Sequence, residues 1–365
     1  MKIDKRNWEK VKLGDVSKEI SERVDNPSEY DRFVGLEHLL SGDIKVKNFT
    51  STDKLVSSMK KFQSGDILFA RRNTYLKRAS LVDFDGICSG DAFVIRVDKE
   101  RILGNLLAFL MNSDRLWDYA NKHAAGSLNG KRVKWRDLAN YEFSLPPKEE
   151  QARLAELLWA ADEVVEREKK LKERMDDCFR IEKIKHFGFC VNGCYKKSFD
   201  NAVKIKDVIT VNNINVGKLD TKEYQNKGKY AIVDQSNNFI AGFSDNEELV
   251  FNGNLPIIIF GDHTTIVKYI DFPFILGADG TKVIINKNNI LTKYLYYAIQ
   301  NLSLVPQGYR RHYSILKDCE ILLRPKEEQL KIIEAIDIVE NNIQKTEQEI
   351  ALSQQLKSSL INQIF

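Results

Sequence analysis

A seven-residue string occurs twice in this chain. Leu145-Pro146-Pro147-Lys148-Glu149-Glu150-Gln151 returns 178 positions later as Leu323-Arg324-Pro325-Lys326-Glu327-Glu328-Gln329. Each copy opens a long charged run with helical spacing, one in mid-chain and the other at the C-terminal end. A second echo heads each half: Val11-Lys12-Leu13-Gly14-Asp15-Val16 matches Val203-Lys204-Ile205-Lys206-Asp207-Val208 at an offset of 192. Such a period is far longer than a solenoid repeat, so the duplicated unit is a globular segment followed by a long helix.

A chain of 365 residues holds two or three domains. Its 43% hydrophobic content, with 10% aromatics, suffices for cores, and 30% charged residues suit long solvated helices. A net charge of +4 neither demands nor excludes nucleic acid. The five cysteines are an odd number and scattered, the N-terminus opens on no apolar run, and no stretch reaches the ~20 apolar residues of a membrane span. The expectation is a reducing bacterial or archaeal cytoplasm, near the nucleoid.

In residues 1–146, Ile67–Ala70, Ala79–Val82 and Ala92–Val97 read as strands, and Leu106–Tyr119 as one amphipathic helix. Residues 147–187 read as a long helix with a heptad seam at Leu157, Ala161, Val164, Glu168, Leu171, Met175 and Cys178. Pro147 suits the first turn, and Glu149 and Glu150 suit its positive end. Residues 188–324 repeat the first domain, with strands at Ile257–Phe260, Thr265–Val267 and Lys282–Ile285 and a helix at Tyr294–Gln300. Residues 325–365 form the second long helix, with a seam at Ile332, Ile336, Val339, Ile343 and Ile350 that continues through Leu356, Leu360 and Ile364. Each apolar stripe needs a partner. The expected architecture is α+β: two mixed α/β domains joined by two long antiparallel coiled-coil helices in a pseudo-twofold duplication.

The catalytic inventory is thin. The sequence contains no Gly-x-x-x-x-Gly-Lys-Ser/Thr loop, no Gly-x-Ser-x-Gly elbow and no Asn/Asp-Pro-Pro-aromatic string of an amino-methyltransferase. His186, Cys190 and Cys194 stand four apart, but zinc wants four ligands and no fourth is evident. The expectation is no metal and an interdomain turn with buried thiols.

Basic and amide residues cluster in the loops. The first domain offers Arg71, Arg72, Asn73 and Thr74 with Lys77 and Arg78, and then Asn129, Lys131 and Arg132. The second offers Gln235, Asn237 and Asn238, then His263 and Thr264, then Gln307, Tyr309, Arg310, Arg311 and His312. Arg, Asn and Gln make the bidentate contacts that tell guanine from adenine, whereas Lys, Ser and Thr suit phosphates. Lys131-Arg132 and Arg310-Arg311 each precede the Pro-Lys-Glu-Glu-Gln string by about 15 residues, so the clusters are placed alike.

These features resemble the specificity subunit of type I restriction-modification systems over nearly the whole chain. Gly65-Asp66-Ile67-Leu68-Phe69-Ala70-Arg71 is similar to a strand of that family's target recognition domains. Ala125-Gly126-Ser127 through Leu138 to Gln151 resembles the passage from recognition domain into helix, as does Gly308–Ser314 through Leu316-Lys317 to Gln329. Arg324 departs from the usual Pro, and the chain is short for the family. The resemblance implies a non-catalytic DNA-reading subunit whose two recognition domains read the halves of a bipartite, asymmetric site, with the helices as a ruler for the spacer. It implies two modification subunits that bind S-adenosylmethionine and methylate adenine. It also implies restriction subunits that use ATP and magnesium, with no cofactor on this chain. Alternative readings are a specificity subunit of a methyltransferase-only complex, a self-contained nuclease or methyltransferase, and a coiled-coil scaffold without nucleic acid.

Overall fold

The computed structural model describes residues 3–126, 130–191, 193–195, 201–210, 217–277, 280–287, 289–306, 308 and 310–365. It divides into two compact units, Met1–Lys170 with Glu347–Phe365, and Leu171–Thr346.

In the first unit, β1 (Glu9–Lys12) leads through the helical turn Leu13–Val16 into β2 (Ser17–Ile20). β3 (Ile67–Ala70), β4 (Ala79–Leu81) and β5 (Ala92–Val97) join β2 in a four-stranded sheet of order β2-β5-β3-β4, all neighbours antiparallel. Helices α1 (Gly104–Leu110) and α2 (Asp114–His123) follow, and β6 (Glu142–Leu145) returns to pair with β1. Next comes α3 (Lys148–Phe187), a run of 40 residues. The single helix expected over Leu106–Tyr119 is broken, because Ser113, at the N-cap position of α2, takes extended backbone. The break lets Trp117 stack on Phe69 at 4.3 Å between ring centroids while Phe109 meets Trp159 of α3 edge-on at 5.0 Å. A second sheet, built from Arg23–Val24, Met59–Phe62, Gly86–Cys88, Arg32–Val34 and Thr50–Ser51, lies between these elements in sequence.

The second unit repeats the frame. β7 (Ala202–Lys204), the turn Ile205–Val208, β8 (Ile209–Thr210), β9 (Ile257–Gly261), β10 (Val267–Ile270), β11 (Thr281–Asn286), α4 (Thr292–Asn301), α5 (Tyr313–Asp318), β12 (Glu320–Leu322) and α6 (Lys326–Ile364) follow in order. The sheet order is β8-β11-β9-β10, and β12 pairs with β7. The strand expected at Thr265–Val267 begins instead at Val267, because Thr265 adopts a left-handed turn (φ 59°).

The repeated glutamine explains the repeated string. Gln151 is buried, its Nε2 donates to the Arg101 and Pro146 carbonyls at 3.1 and 3.0 Å, and its Oε1 accepts the Leu103 N–H at 3.0 Å. Gln329 is buried too: its Nε2 donates to the Asn289 and Arg324 carbonyls at 3.2 and 2.8 Å, and its Oε1 accepts the Leu291 N–H at 2.8 Å. An amide has two donors and an acceptor, and both copies use all three functions to fasten the first turn of the long helix to its own entry and to the segment just before α1 or α4. Pro147 accepts the N–H groups of Glu150 and Gln151 at 2.9 Å, and Gly188 in left-handed backbone closes α3.

The seam expected for α3 is met in part: Glu168 and Met175 contact α6, but the buried stripe of the first unit is one residue out of phase. Val164 and Leu171 are exposed by 47% and 45%, and Cys178 is exposed. The inward stripe of the first unit is Leu154, Leu158, Asp162 and Val165. It includes a carboxylate because Asp162 meets Lys357 at 2.9 Å, both side chains nearly buried. On α6, Ile332, Ile336 and Ile343 are buried as expected, but Leu356 is exposed and Lys357 is buried in its stead. Lys357 also donates to the Gly42 carbonyl at 2.9 Å. Within the first unit Ser353 bonds Glu168 and Lys357 bonds Asp162, so the two helix segments run antiparallel there. The second unit packs Phe187 of α3 with Ile332 and Ile336 of α6 in one core and sets Met175 beside Thr346, again antiparallel.

Candidate nucleic-acid interface

Beyond the last residue of β3 the chain stays on the ladder: Arg71 N–H donates to the Asp91 carbonyl at 3.0 Å, and Val133 N–H to the Arg71 carbonyl at 3.0 Å. Asn73 N–H reaches the Lys131 carbonyl at 3.0 Å, and Ala125 and Arg132 exchange both backbone bonds. The sheet therefore extends into a loop face where the expected Arg71–Arg78 and Lys131–Arg132 clusters lie side by side. Gly130 belongs there for a steric reason: its φ is +120°, and a Cβ would stand 2.7 Å from Arg72 Nε.

Asp91 organises the cations. Its Oδ1 accepts Arg132 Nε at 2.8 Å, its Oδ2 accepts Arg132 Nη2 at 3.1 Å, and Arg72 Nη1 stands 3.5 Å away. The Arg132 hydrogen bond, with the nearby charges of Arg72 and Arg71, holds the Asp91 carboxyl below its ordinary range against a smaller desolvation effect. The Arg71 guanidinium lies 5.5 Å from the Phe93 ring centre. Lys131 is exposed.

The same ladder recurs in the second unit. Asp262 N–H donates to the Gly280 carbonyl at 2.8 Å, and His312 N–H to the Asp262 carbonyl at 2.9 Å. Asp262 therefore occupies the place of Arg71, Gly280 that of Asp91, and Arg311 that of Arg132. Asp262 Oδ1 accepts the Tyr313 N–H at 2.8 Å. Gln235 Oε1 accepts the His263 N–H at 3.2 Å, and Thr264 Oγ1 donates to the Gln235 carbonyl at 2.7 Å. A Cβ on Gly280, whose φ is +85°, would fall 2.6 Å from Gln235 Nε2 and 2.8 Å from His263 Cδ2. Buried Lys268 ties down the segment that carries the exposed Asn237 and Asn238, donating to the carbonyls of Asp234 and Asn238. Arg310 and Arg311 are exposed.

Several expected contacts belong to the frame instead. Thr74 is buried and bonds Asn121 at 2.6 Å. His312 is buried with Nδ1 2.9 Å from the Asp262 carbonyl. Lys77 pairs with Asp114 at 2.6 Å, and Arg78 Nη1 donates to the Leu36 carbonyl at 2.8 Å. Asn129, Gln307 and Tyr309 lie outside the described residues, as does the side chain of Cys194. His186 Nε2 sits 2.9 Å from Glu182, and among the described residues no three His, Cys, Asp or Glu are grouped to hold a metal. Asp91 and Lys268 do not stand among the residues that the loop clusters offer in sequence. The signal for the first lay in the Gly90-Asp91 string before β5, which Gly277–Gly280 echoes before β11. No helix among the described residues is long and apolar enough to cross a membrane.

Two copies of one α/β unit, each carrying loops on the same sheet ladder and anchoring a long helix by the same glutamine, define a duplicated recognition scaffold. The chain belongs to the type I restriction modification DNA specificity domain family, whose family model matches residues 5–175 and 200–354. It is 24% identical over 169 residues to the type I restriction enzyme EcoDI specificity subunit of Escherichia coli, a stretch that covers 44% of this chain and 37% of that protein. The match thus spans little more than a third of that relative's length. The fold is similar to that of the type I restriction-modification S subunit from M. genitalium, with TM-score 0.60 and 13% identity over 100% of this chain and 98% of that chain. It is also similar to a chain from a structural study of complex assembly and conformational transition in a type I restriction-modification system. There the TM-score is 0.56 at 21% identity, over 98% of this chain and 97% of that one.

Proposed function

We propose that this chain is the DNA-reading subunit of a type I restriction-modification complex, each unit reading one half of a bipartite, asymmetric site. The observation that carries the proposal is the equivalence of the two loop faces. One ladder delivers Arg132 and Arg311 to the same place, yet surrounds them with different residues. A duplicated frame with unlike contacts suits a site with unlike halves. In the first unit Arg72, Asn73, Lys131 and Arg132 face the DNA, and Asp91 is a positioning residue that orients the guanidinium forks. In the second, Gln235, Asn237 and Asn238 offer amides for adenine edges, with His263, Thr264, Arg310 and Arg311 beside them. Two modification subunits holding S-adenosylmethionine and restriction subunits using ATP and magnesium supply the chemistry, and this chain supplies none.

Methylation mapping in a host that carries the complex tests this. Arg132→Ala is expected to relax one half-site and Arg311→Ala the other, each by about 1–3 kcal/mol for a base-edge contact. A phosphate contact would instead weaken binding to all sequences and lower the salt slope by about one. Variants that disturb both halves equally would sink the two-reader reading. Methylation or cleavage of plasmid by the lone chain would sink the non-catalytic one.

A further inference from the structure

The turn Thr74–Leu76, between β3 and β4, departs from the loop around it. It is bracketed by two non-glycine residues in left-handed backbone, Asn73 at φ 54° and Lys77 at φ 48°. Asn tolerates that region, whereas Lys enters it rarely, so the surrounding bonds must impose it. They do: Asn73 N–H is held by the Lys131 carbonyl at 3.0 Å, Thr74 Oγ1 by Asn121 at 2.6 Å, and the Lys77 ammonium by Asp114 at 2.6 Å. Backbone bonds Leu76 N–H to Asn73 and Lys77 N–H to Thr74 close the turn at 2.9 and 3.0 Å. This firmly built base presents apolar groups to solvent: Tyr75 is 67% exposed and Leu76 40%. Exposed Lys131 lies beside it, with Arg72 and Lys77 at its flanks paired to Asp91 and Asp114. Apolar side chains on a firmly held tip next to an exposed cation match a partner that is anionic outside and flat and apolar within, namely stacked DNA.

We propose that Leu76 is a wedge that enters one base step of the half-site read by the first unit, with the Tyr75 ring stacking on an exposed base. Proteins that kink DNA insert aliphatic side chains between base steps, and flexible pyrimidine–purine steps yield most readily. The second unit exposes a comparable pair, Phe239 and Ile240, but the Phe239 ring leans on Phe272 at 6.0 Å between centroids. The wedge is therefore assigned to the first unit alone. The inference rests on the DNA-reading proposal above.

The test uses the full chain assembled with its modification subunits, on duplexes carrying 2-aminopurine at successive positions of the methylation-mapped site. A fluorescence rise is expected at one step in one half-site. The double substitution Tyr75→Ala with Leu76→Ala is expected to abolish the rise and weaken binding about ten-fold, the scale of one lost base–aromatic stack. A mismatch at that step, already unstacked, restores the variant's binding to near that of the parent, which a simple surface contact would not do. No rise with the unaltered complex, or equal rises for parent and variant, would overturn the wedge. Loss of modification subunits from the variant would overturn it too, by making the turn a protein contact. If the unaltered complex fails to bind its site selectively, the DNA-reading proposal itself fails; selective binding without unstacking defeats only the wedge.

Discussion

Eleven positions beyond its clamping glutamine, each unit carries an acid that faces inward, Asp162 in one and Glu340 in the other. The first unit answers it with a lysine: Asp162 and Lys357 pair at 2.9 Å, while nearby Phe109 packs on Trp159. The second unit has Tyr297 where the first has Phe109, and Asp337 where it has Trp159. Tyr297 therefore brings a hydroxyl that bonds Glu340 at 2.7 Å and also Asp337, itself countered by Lys293 at 2.9 Å. The duplication kept the acid and replaced what neutralises it. Frame positions are constrained by geometry, which admits one solution in both units, as at Gln151 and Gln329. A buried charge admits several, and the two units took different ones.

The largest difference should appear when the acids are removed. Asp162→Ala leaves Lys357 charged and buried, and is expected to cost about 3–5 kcal/mol. Glu340→Ala deprives a neutral phenol that still has Asp337, and is expected to cost about 1–2 kcal/mol. Urea unfolding of the full chain reads the first cleanly, because Trp8, Trp117, Trp135 and Trp159 all fall in the first unit. Amide hydrogen exchange reads the second. Equal losses would mean that the two acids are neutralised to the same effect after all.

The glutamines should behave alike. Gln151→Leu and Gln329→Leu each strand one N–H and two carbonyls, and each is expected to destabilise its own unit by about 1–3 kcal/mol. A cost in one unit without the other would break the equivalence of the frames. Substitution by Glu sharpens the test, since a carboxylate keeps the acceptor for Leu103 or Leu291 and loses both donors.

The glutamines also show how far letters carry. Their repetition revealed the duplication, yet nothing in the string Pro-Lys-Glu-Glu-Gln says that its last residue turns inward on three backbone groups. The helices were legible from their length and apolar spacing, but the α3 stripe was placed one residue early. Counting apolar residues favours Leu157, Val164 and Leu171 over Leu158, Asp162 and Val165, because Asp162 scores as a surface residue until Lys357, 195 positions away, is brought to it. The candidate loops were legible because arginine and amides stand out. Asp91 was not, since its part is to hold Arg132 and that pairing exists only in three dimensions. Thr74 and His312 looked like contacts for the converse reason: a hydroxyl or imidazole has the same letter whether it faces DNA or a neighbouring backbone.

The smallest expected effect is a pH dependence of the second unit. Lys183, on α3, faces the ring of Phe179 at 4.2 Å and the Gln300 side chain at 3.4 Å, rather than meeting an acid directly as Lys357 does. Burial lowers its pKa from 10.5 to about 8, and the more distant Glu340 only partly offsets that. Below pH 8 the ammonium is charged both folded and unfolded, and its desolvation weighs fully on the folded state. Between about 8 and 10.5 the folded unit sheds the proton first, so stability rises with pH. Burial raises the Tyr296 and Tyr297 hydroxyls, Tyr297 with help from its two carboxylates, so their contribution has the opposite sign and is lost as pH climbs past about 10. Hydrogen exchange of the second unit at pH 7 and pH 9.5, corrected for intrinsic exchange rates, should therefore show a gain of about 1 kcal/mol in the parent. Lys183→Met is expected to shrink that gain by stabilising the unit at pH 7, leaving the share of Lys268, whose pKa burial also lowers, while the substitution leaves the first unit unmoved. A parent whose second unit is flat across that window would mean that Lys183 is as well neutralised as Lys357, and the contrast between the two seams would close.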